Sequence, residues 1–170
     1  MIPDVIEPQG LADYLEVITR AVFQAGVSWK QIASPWEAYR SAFAGFEPRL
    51  VAAFDDVDVD RVLATPGVLR APRKVRATIH NAATLLDIDR EYAGFANFLR
   101  AGDGYEERVR ELKRRFAFVG DMSVWYVLFR VGEPVPRFER WVTTIPGEHP
   151  RMREMVERAR AQGRSREYEP

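Results

Sequence analysis

Cysteine is absent from this chain, and histidine occurs only as His80 and His149. The first absence removes disulfides, thiolate nucleophiles and cysteine-ligated zinc, and two imidazoles are too few for a histidine-rich metal site. A surplus of one charge is lacking as well. With 25 Lys and Arg against 25 Asp and Glu, no global field drives binding, so an anionic partner must be steered by local patches. No apolar run reaches the length needed to span a bilayer, and the start MIPDVIEPQG has neither the basic beginning nor the apolar middle of a signal peptide. These absences together predict a soluble, metal-free, cytoplasmic protein with no membrane partner. Strand signals are equally scarce: period-two alternation is short wherever it occurs, as in DDVDVDR, whose aspartates are poor strand formers.

Helical signals fill the space that strands leave. Leu11, Leu15, Ile18 and Val22 recur at the spacing of one helix face and predict a helix over roughly 10–25. Ser34 reads as an N-cap with Pro35 at the first helical position and Glu37 completing a capping box, and Gly45 reads as the end of that helix. EPRLVAAF and DVDRVLA read as short helices with acids near their starts, which suits the helix dipole. From Pro72 to about Arg90 a longer helix carries Val75, Ile79, Ala82, Ala83 and Leu86 on its apolar face. GYEERVRELKRRF follows, with Val109, Leu112 and Phe116 inward. DMSVWYVLFRVG has almost no polar face and is predicted to be the most buried helix. EPVPRF is a proline-fixed extended exit. The fold expected is all-α. Residues 1–147 form one helical domain, and 148–170 form an exposed, charged C-terminal helix with a frayed end.

Two features do more than build a core. The stretch AVFQAGVSWKQI stops the first helix at Gly26 and presents Val27, Ser28 and Trp29 at once. Basic clusters form the other feature: RAPRKVR holds Arg70, Arg73, Lys74 and Arg76 without an acid, and RVRELKRR ends just before the tight corner AFVG. A helix, hairpin and helix in that order offer backbone N–H groups and a helix dipole to a phosphate, with neighbouring lysines and arginines holding the next ones. Asp121, directly after Gly120, opposes this by placing a negative charge at the same spot. Within the apolar helix, Trp125 and Tyr126 cannot both face the core at one point, and Tyr126 is preferred for a cleft. Gln24 either hydrogen-bonds a ligand edge or caps the end of its helix.

QAGVSW, WEAYRSAFAGFEPRLVA, DVDRVLATPGVLR, KVRATIHNA and RRFAFVG together resemble, in order and spacing, the DNA-3-methyladenine glycosylase I family of helix-hairpin-helix base-excision glycosylases, over about Leu11 to Gly132. The resemblance implies a monomer with a DNA-facing cleft, no organic cofactor, duplex DNA carrying alkylated bases as partner, and hydrolysis of the bond joining a flipped-out purine to its sugar. It makes Trp29 the base-stacking residue, with Gln24 and Tyr126 beside the base. Gly26 and Val27 become the plug that fills the vacated stack, and Phe118, Val119 and Gly120 the hairpin. Lys113 and Arg114, with Arg73 and Lys74 from the other cluster, are the expected phosphate contacts. A cationic 3-methylated adenine would gain about 0.5–2 kcal/mol from an indole face. The departures are specific. Ala21 stands where the family carries its pocket glutamate, and the family's N-terminal aromatic and histidine segment and its zinc site are missing. For the aspartate that stabilises the sugar cation in the wider superfamily, Glu139 is the expected replacement and Glu133 the second choice. If binding outlives catalysis, a damage-binding or regulatory module is the alternative function.

Overall fold

A computed structural model describes residues 4–170. Its helices are α1 (Leu11–Gln24), α2 (Trp29–Ala33), α3 (Trp36–Ala42), α4 (Pro48–Ala52), α5 (Asp56–Ala64), α6 (Pro72–Tyr92), α7 (Phe95–Arg100), α8 (Tyr105–Arg115), α9 (Asp121–Arg130), α10 (Phe138–Trp141) and α11 (Pro150–Ala161). The architecture is all-α; the one exception among the described residues is a parallel pair of two-residue strands, β1 (Val135–Pro136) and β2 (Glu167–Tyr168). No described helix is long and apolar enough to cross a membrane.

Three helices set the frame. α1 packs against both α6 and α9, and α4 lies along α6. α9 is the most enclosed, as its apolar composition dictates: every residue from Ser123 to Arg130 is buried. Trp125 stacks between Phe129 and Trp141 at centroid separations of 4.9 and 4.7 Å and donates its indole N–H to the Pro136 carbonyl. That arrangement leaves the other aromatic, Tyr126, to face a cavity. α5 starts at a reciprocal cap in which the Asp55 and Asp58 side chains each accept from the other's backbone N–H at 3.0 Å.

Several local expectations are corrected. Ser34 does not cap α3; it ends α2, a five-residue helix whose one buried side chain, Ile32, gives no periodic signal to read. Glu37 is exposed and pairs with Arg40 instead of closing a capping box. On α6 the buried stripe is turned from the expected one. Val75, Thr78, Ala82 and Leu85 are buried while Ile79, Ala83 and Leu86 are only partly so, because the helix also brings polar Asn81 inward.

The C-terminal segment departs most from its charged composition. Met152, Met155, Val156 and Ala159 put one face of α11 into the core. The tail then returns as β2, where Val135 and Arg137 donate to the carbonyls of Arg166 and Tyr168. Glu167 fixes this return by accepting from Arg160, Ser165 and the Phe138 backbone N–H. The start of the described chain is tied to the same end. Asp4 pairs with Arg158 at 2.9 Å, Ile6 donates to the Arg130 carbonyl at 2.8 Å, and Arg164 donates to the Val5 carbonyl.

Candidate active site

The glycine corner is built by the end of α1. Gly26 has φ +75°, a conformation that side chains rarely adopt, and Val27 donates back to the Gln24 carbonyl. Lys74 of α6 holds the corner from behind. Its ammonium donates to the carbonyls of Phe23 at 3.0 Å and Ala25 at 2.7 Å, two acceptors that the helix end would otherwise leave open. Burial pushes this lysine below its ordinary pKa. The expected role of Lys74 as a phosphate contact is therefore corrected: its donors already serve the backbone of the corner.

Beyond the corner, Trp29 opens α2 half-buried, and its ring meets Tyr126 edge-on at 5.3 Å. The two aromatics line a cavity of about 500 Å³ together with Gln24, Arg20 and Arg130. On its other side Trp29 borders a second cavity, of about 410 Å³, which also touches Gly26, Val27 and Met122. The corner and the start of α9 thus meet around one indole. Ala21 is buried on the same helix one turn before Ala25 and lines neither cavity.

Two polar atoms at the larger cavity have no hydrogen-bond partner among the described residues: Gln24 Oε1, on a side chain 6% exposed, and Arg20 Nε. Arg20 lies over the Trp36 ring at 4.6 Å, and burial pushes its pKa below that of a free arginine. Arg130 donates to the Tyr126 hydroxyl at 2.6 Å and to the Asp4 carbonyl, fixing the phenol at the cavity wall. α11 supplies the remaining wall with Arg151, Glu154, Met155 and Arg158.

The hairpin lies at the far side of α6. Asn81 clamps it with both ends of its amide, accepting from the Ala117 N–H at 2.7 Å and donating to the Ala117 carbonyl at 3.1 Å. Phe118 follows at φ +57°, 40% exposed, with Arg73 over its ring at 5.5 Å. Gly120 caps α9 with its backbone only. Lys113 is paired with Asp121 at 2.9 Å and Arg114 with Glu111 at 2.7 Å, so each must exchange a surface carboxylate for a phosphate.

The carboxylate expected of the chemistry is not at the cavity. Glu139 accepts from Arg160 through both oxygens at 2.8 Å and from Arg137, and the Arg160 guanidinium holds its pKa down at about 2. It belongs to the C-terminal ion-pair network. Glu133 is buried against Arg100 at 2.9 Å, also away from Trp29. Both expectations are corrected, for the same reason: an arginine beside each carboxylate draws it into structural pairing. The acids that do border the cavity, Asp4 and Glu154, are likewise paired, with Arg158 and Arg151. Nor does the family's zinc fit. The chain has no cysteine, and no group of three His, Cys, Asp or Glu gathers among the described residues.

Arg20, Arg130 and Asn81 escape a reading of the sequence. Each is a polar residue inside an apolar helical stripe, which is the one signal that could have marked them.

Known proteins resemble this chain in sequence and in fold. The family model for methyladenine glycosylase matches residues 9–116. DNA-3-methyladenine glycosylase 1 of Escherichia coli is 32% identical over 88 residues, 52% of this chain, and the match spans 47% of that protein's length. DNA-3-methyladenine glycosylase of Haemophilus influenzae is 32% identical over 130 residues, 64% of this chain and 70% of its own. A crystal structure of a variant 3-methyladenine DNA glycosylase I in complex with 3-methyladenine superposes with a TM-score of 0.66 at 25% identity, covering 75% of this chain and 80% of that one. The chain belongs to the methyladenine glycosylase family.

Proposed function

We propose that the protein is a base-excision DNA glycosylase that removes alkylated purines from duplex DNA, acting as a cytoplasmic monomer. The observation that carries this reading is the meeting of a half-buried indole, a left-handed glycine corner and the start of α9 around two adjoining cavities. An extruded nucleotide costs a few kcal/mol of unstacking, least for a damaged base. Stacking on Trp29 returns about 1–3 kcal/mol of that, while Val27, at the exposed corner, fills the gap in the duplex. The hairpin at Phe118–Gly120, with Arg73 beside it, bears on the backbone.

The reaction breaks the bond between C1′ of the sugar and the base nitrogen. Water supplies the oxygen that bonds to C1′ and gives its proton to solvent or to the departing base. A base already carrying positive charge leaves as a neutral molecule, so extrusion and positioning account for most of the work and strong acid catalysis is not needed. A second reading, a damage-binding module without catalysis, is favoured by Ala21 and by the pairing of both cavity carboxylates with arginines.

Incubation with alkylated duplex DNA, followed by analysis of released bases and abasic sites, tests the proposal. Free methylpurine and an equal yield of abasic sites are expected; tight, salt-sensitive binding with no release selects the second reading.

A further inference from the structure

The two cavities at Trp29 differ in their carboxylates. In the larger one Asp4 and Glu154 are ion-paired with Arg158 and Arg151. The smaller one is lined by Glu148, an exposed side chain that forms no ion pair among the described residues. Glu148 sits in a short, stiff turn ahead of α11. Gly147, at φ +93°, precedes it; His149 follows, with its ring Nε2 donating to the Pro146 carbonyl at 2.9 Å and its backbone restricted by Pro150. The same cavity is bordered by Gly26, Val27 and Trp29. A carboxylate just ahead of a helix also stabilises its N-terminus, but that role needs neither a cavity nor a neighbouring indole.

Charge moves during base release. A base alkylated on a ring nitrogen is cationic while it is bonded to C1′. As that bond breaks, its electron pair passes to the base, which becomes neutral, and the positive charge appears on C1′ and the ring oxygen of the sugar. A group placed to hold the charge only after it has moved lowers the barrier. The smaller cavity is the one that reaches Gly26 and Val27, the corner bearing on the duplex, so the sugar of a nucleotide whose base stacks on Trp29 stands on that side. Other carboxylates do not compete for the place: Ala21 offers none from α1, and Glu133 and Glu139 are held elsewhere by Arg100 and Arg160. We infer that Glu148 is a catalytic residue whose carboxylate faces the sugar and stabilises the positive charge that develops there, an inference that rests on the glycosylase reading. Water then bonds to C1′ and gives its proton to solvent, and Glu148 takes up none.

The test has two arms. In single-turnover release of 3-methyladenine from duplex DNA, Glu148→Gln is expected to be slower by roughly ten- to hundredfold without weaker DNA binding, and Glu148→Asp to recover part of the rate. The second arm needs no reaction and uses duplexes carrying an abasic-site mimic, either a protonated pyrrolidine or a neutral tetrahydrofuran ring. Wild type is expected to bind the charged ring about tenfold more tightly than the neutral one, and Glu148→Gln to bind both alike. A merely structural role at the start of α11 lowers the melting temperature of Glu148→Gln and leaves the ratio of charged to neutral binding where it was. Release by Glu148→Gln at the wild-type rate, or an unmoved ratio, overturns the inference and leaves the glycosylase reading standing. No release by wild type defeats the glycosylase reading instead. A charged-ring preference that disappears in Glu148→Gln then still supports the placing of Glu148 at the sugar, and the lack of any such preference overturns it.

Discussion

Trp29 is half-buried, meets Tyr126 in a T-shaped contact and lines the cavity, where a base can stack on it. Trp29→Ala should lower kcat/KM for base release roughly ten- to hundredfold, the range set by about 1–3 kcal/mol of stacking, while circular dichroism shows the helices intact. Glu139 predicts the opposite pattern. Its folded pKa lies at about 2, below the ordinary carboxylate value, so its pairing with Arg160 stabilises the protein above that ordinary value and is lost as pH falls toward 2. The pair is partly exposed and its contribution is small. Glu139→Gln should therefore leave excision unchanged, lower the melting temperature slightly at neutral pH, and converge with wild type as the buffer is acidified. Sequence alone points to Trp29, because a glycine corner followed by an indole is an unusual way to end a helix. It could not assign Glu139, since the arginine that claims it lies twenty-one residues onward on α11.

At the scale of elements, α6 does two jobs that its basic composition conceals. Lys74 seals the end of α1, and Asn81 grips the hairpin, whereas Arg73 stays exposed beside Phe118. Arg73→Ala should reduce the slope of log affinity for DNA against log salt by about 0.9, the loss of one phosphate contact. Lys74→Met should leave that slope unchanged and cost about 1–2 kcal/mol of stability in urea melts, through the freed carbonyls of Phe23 and Ala25. Asn81→Ala leaves the Ala117 N–H and carbonyl unpaired and should weaken DNA binding by loosening the hairpin. Periodicity locates α1, α6, α8 and α9 because each is long enough to repeat its apolar stripe. It passes over α2 and α7, whose five and six residues complete barely more than one turn.

For the whole molecule, the charged end of the sequence is part of the core and of the site. Its arginines read as a solvated tail, yet four apolar side chains of α11 are buried and the same helix walls the cavity at Trp29. Met152, Met155 and Val156 each contribute about 1.5–3 kcal/mol, so truncation after Gly147 should abolish the single cooperative thermal transition. A separable tail would leave it intact. The spacing of Met152, Met155, Val156 and Ala159 is helical and was present to be read; the density of charge around it hid the stripe. The central claim, that a base lodges at Trp29 and is cut from its sugar, is tested most directly by treating alkylated duplex DNA with wild type and Trp29→Ala and quantifying free base. The account predicts release with matching abasic sites by wild type and at least a tenfold loss in the variant. Release undiminished by Trp29→Ala, or none from wild type, would contradict it.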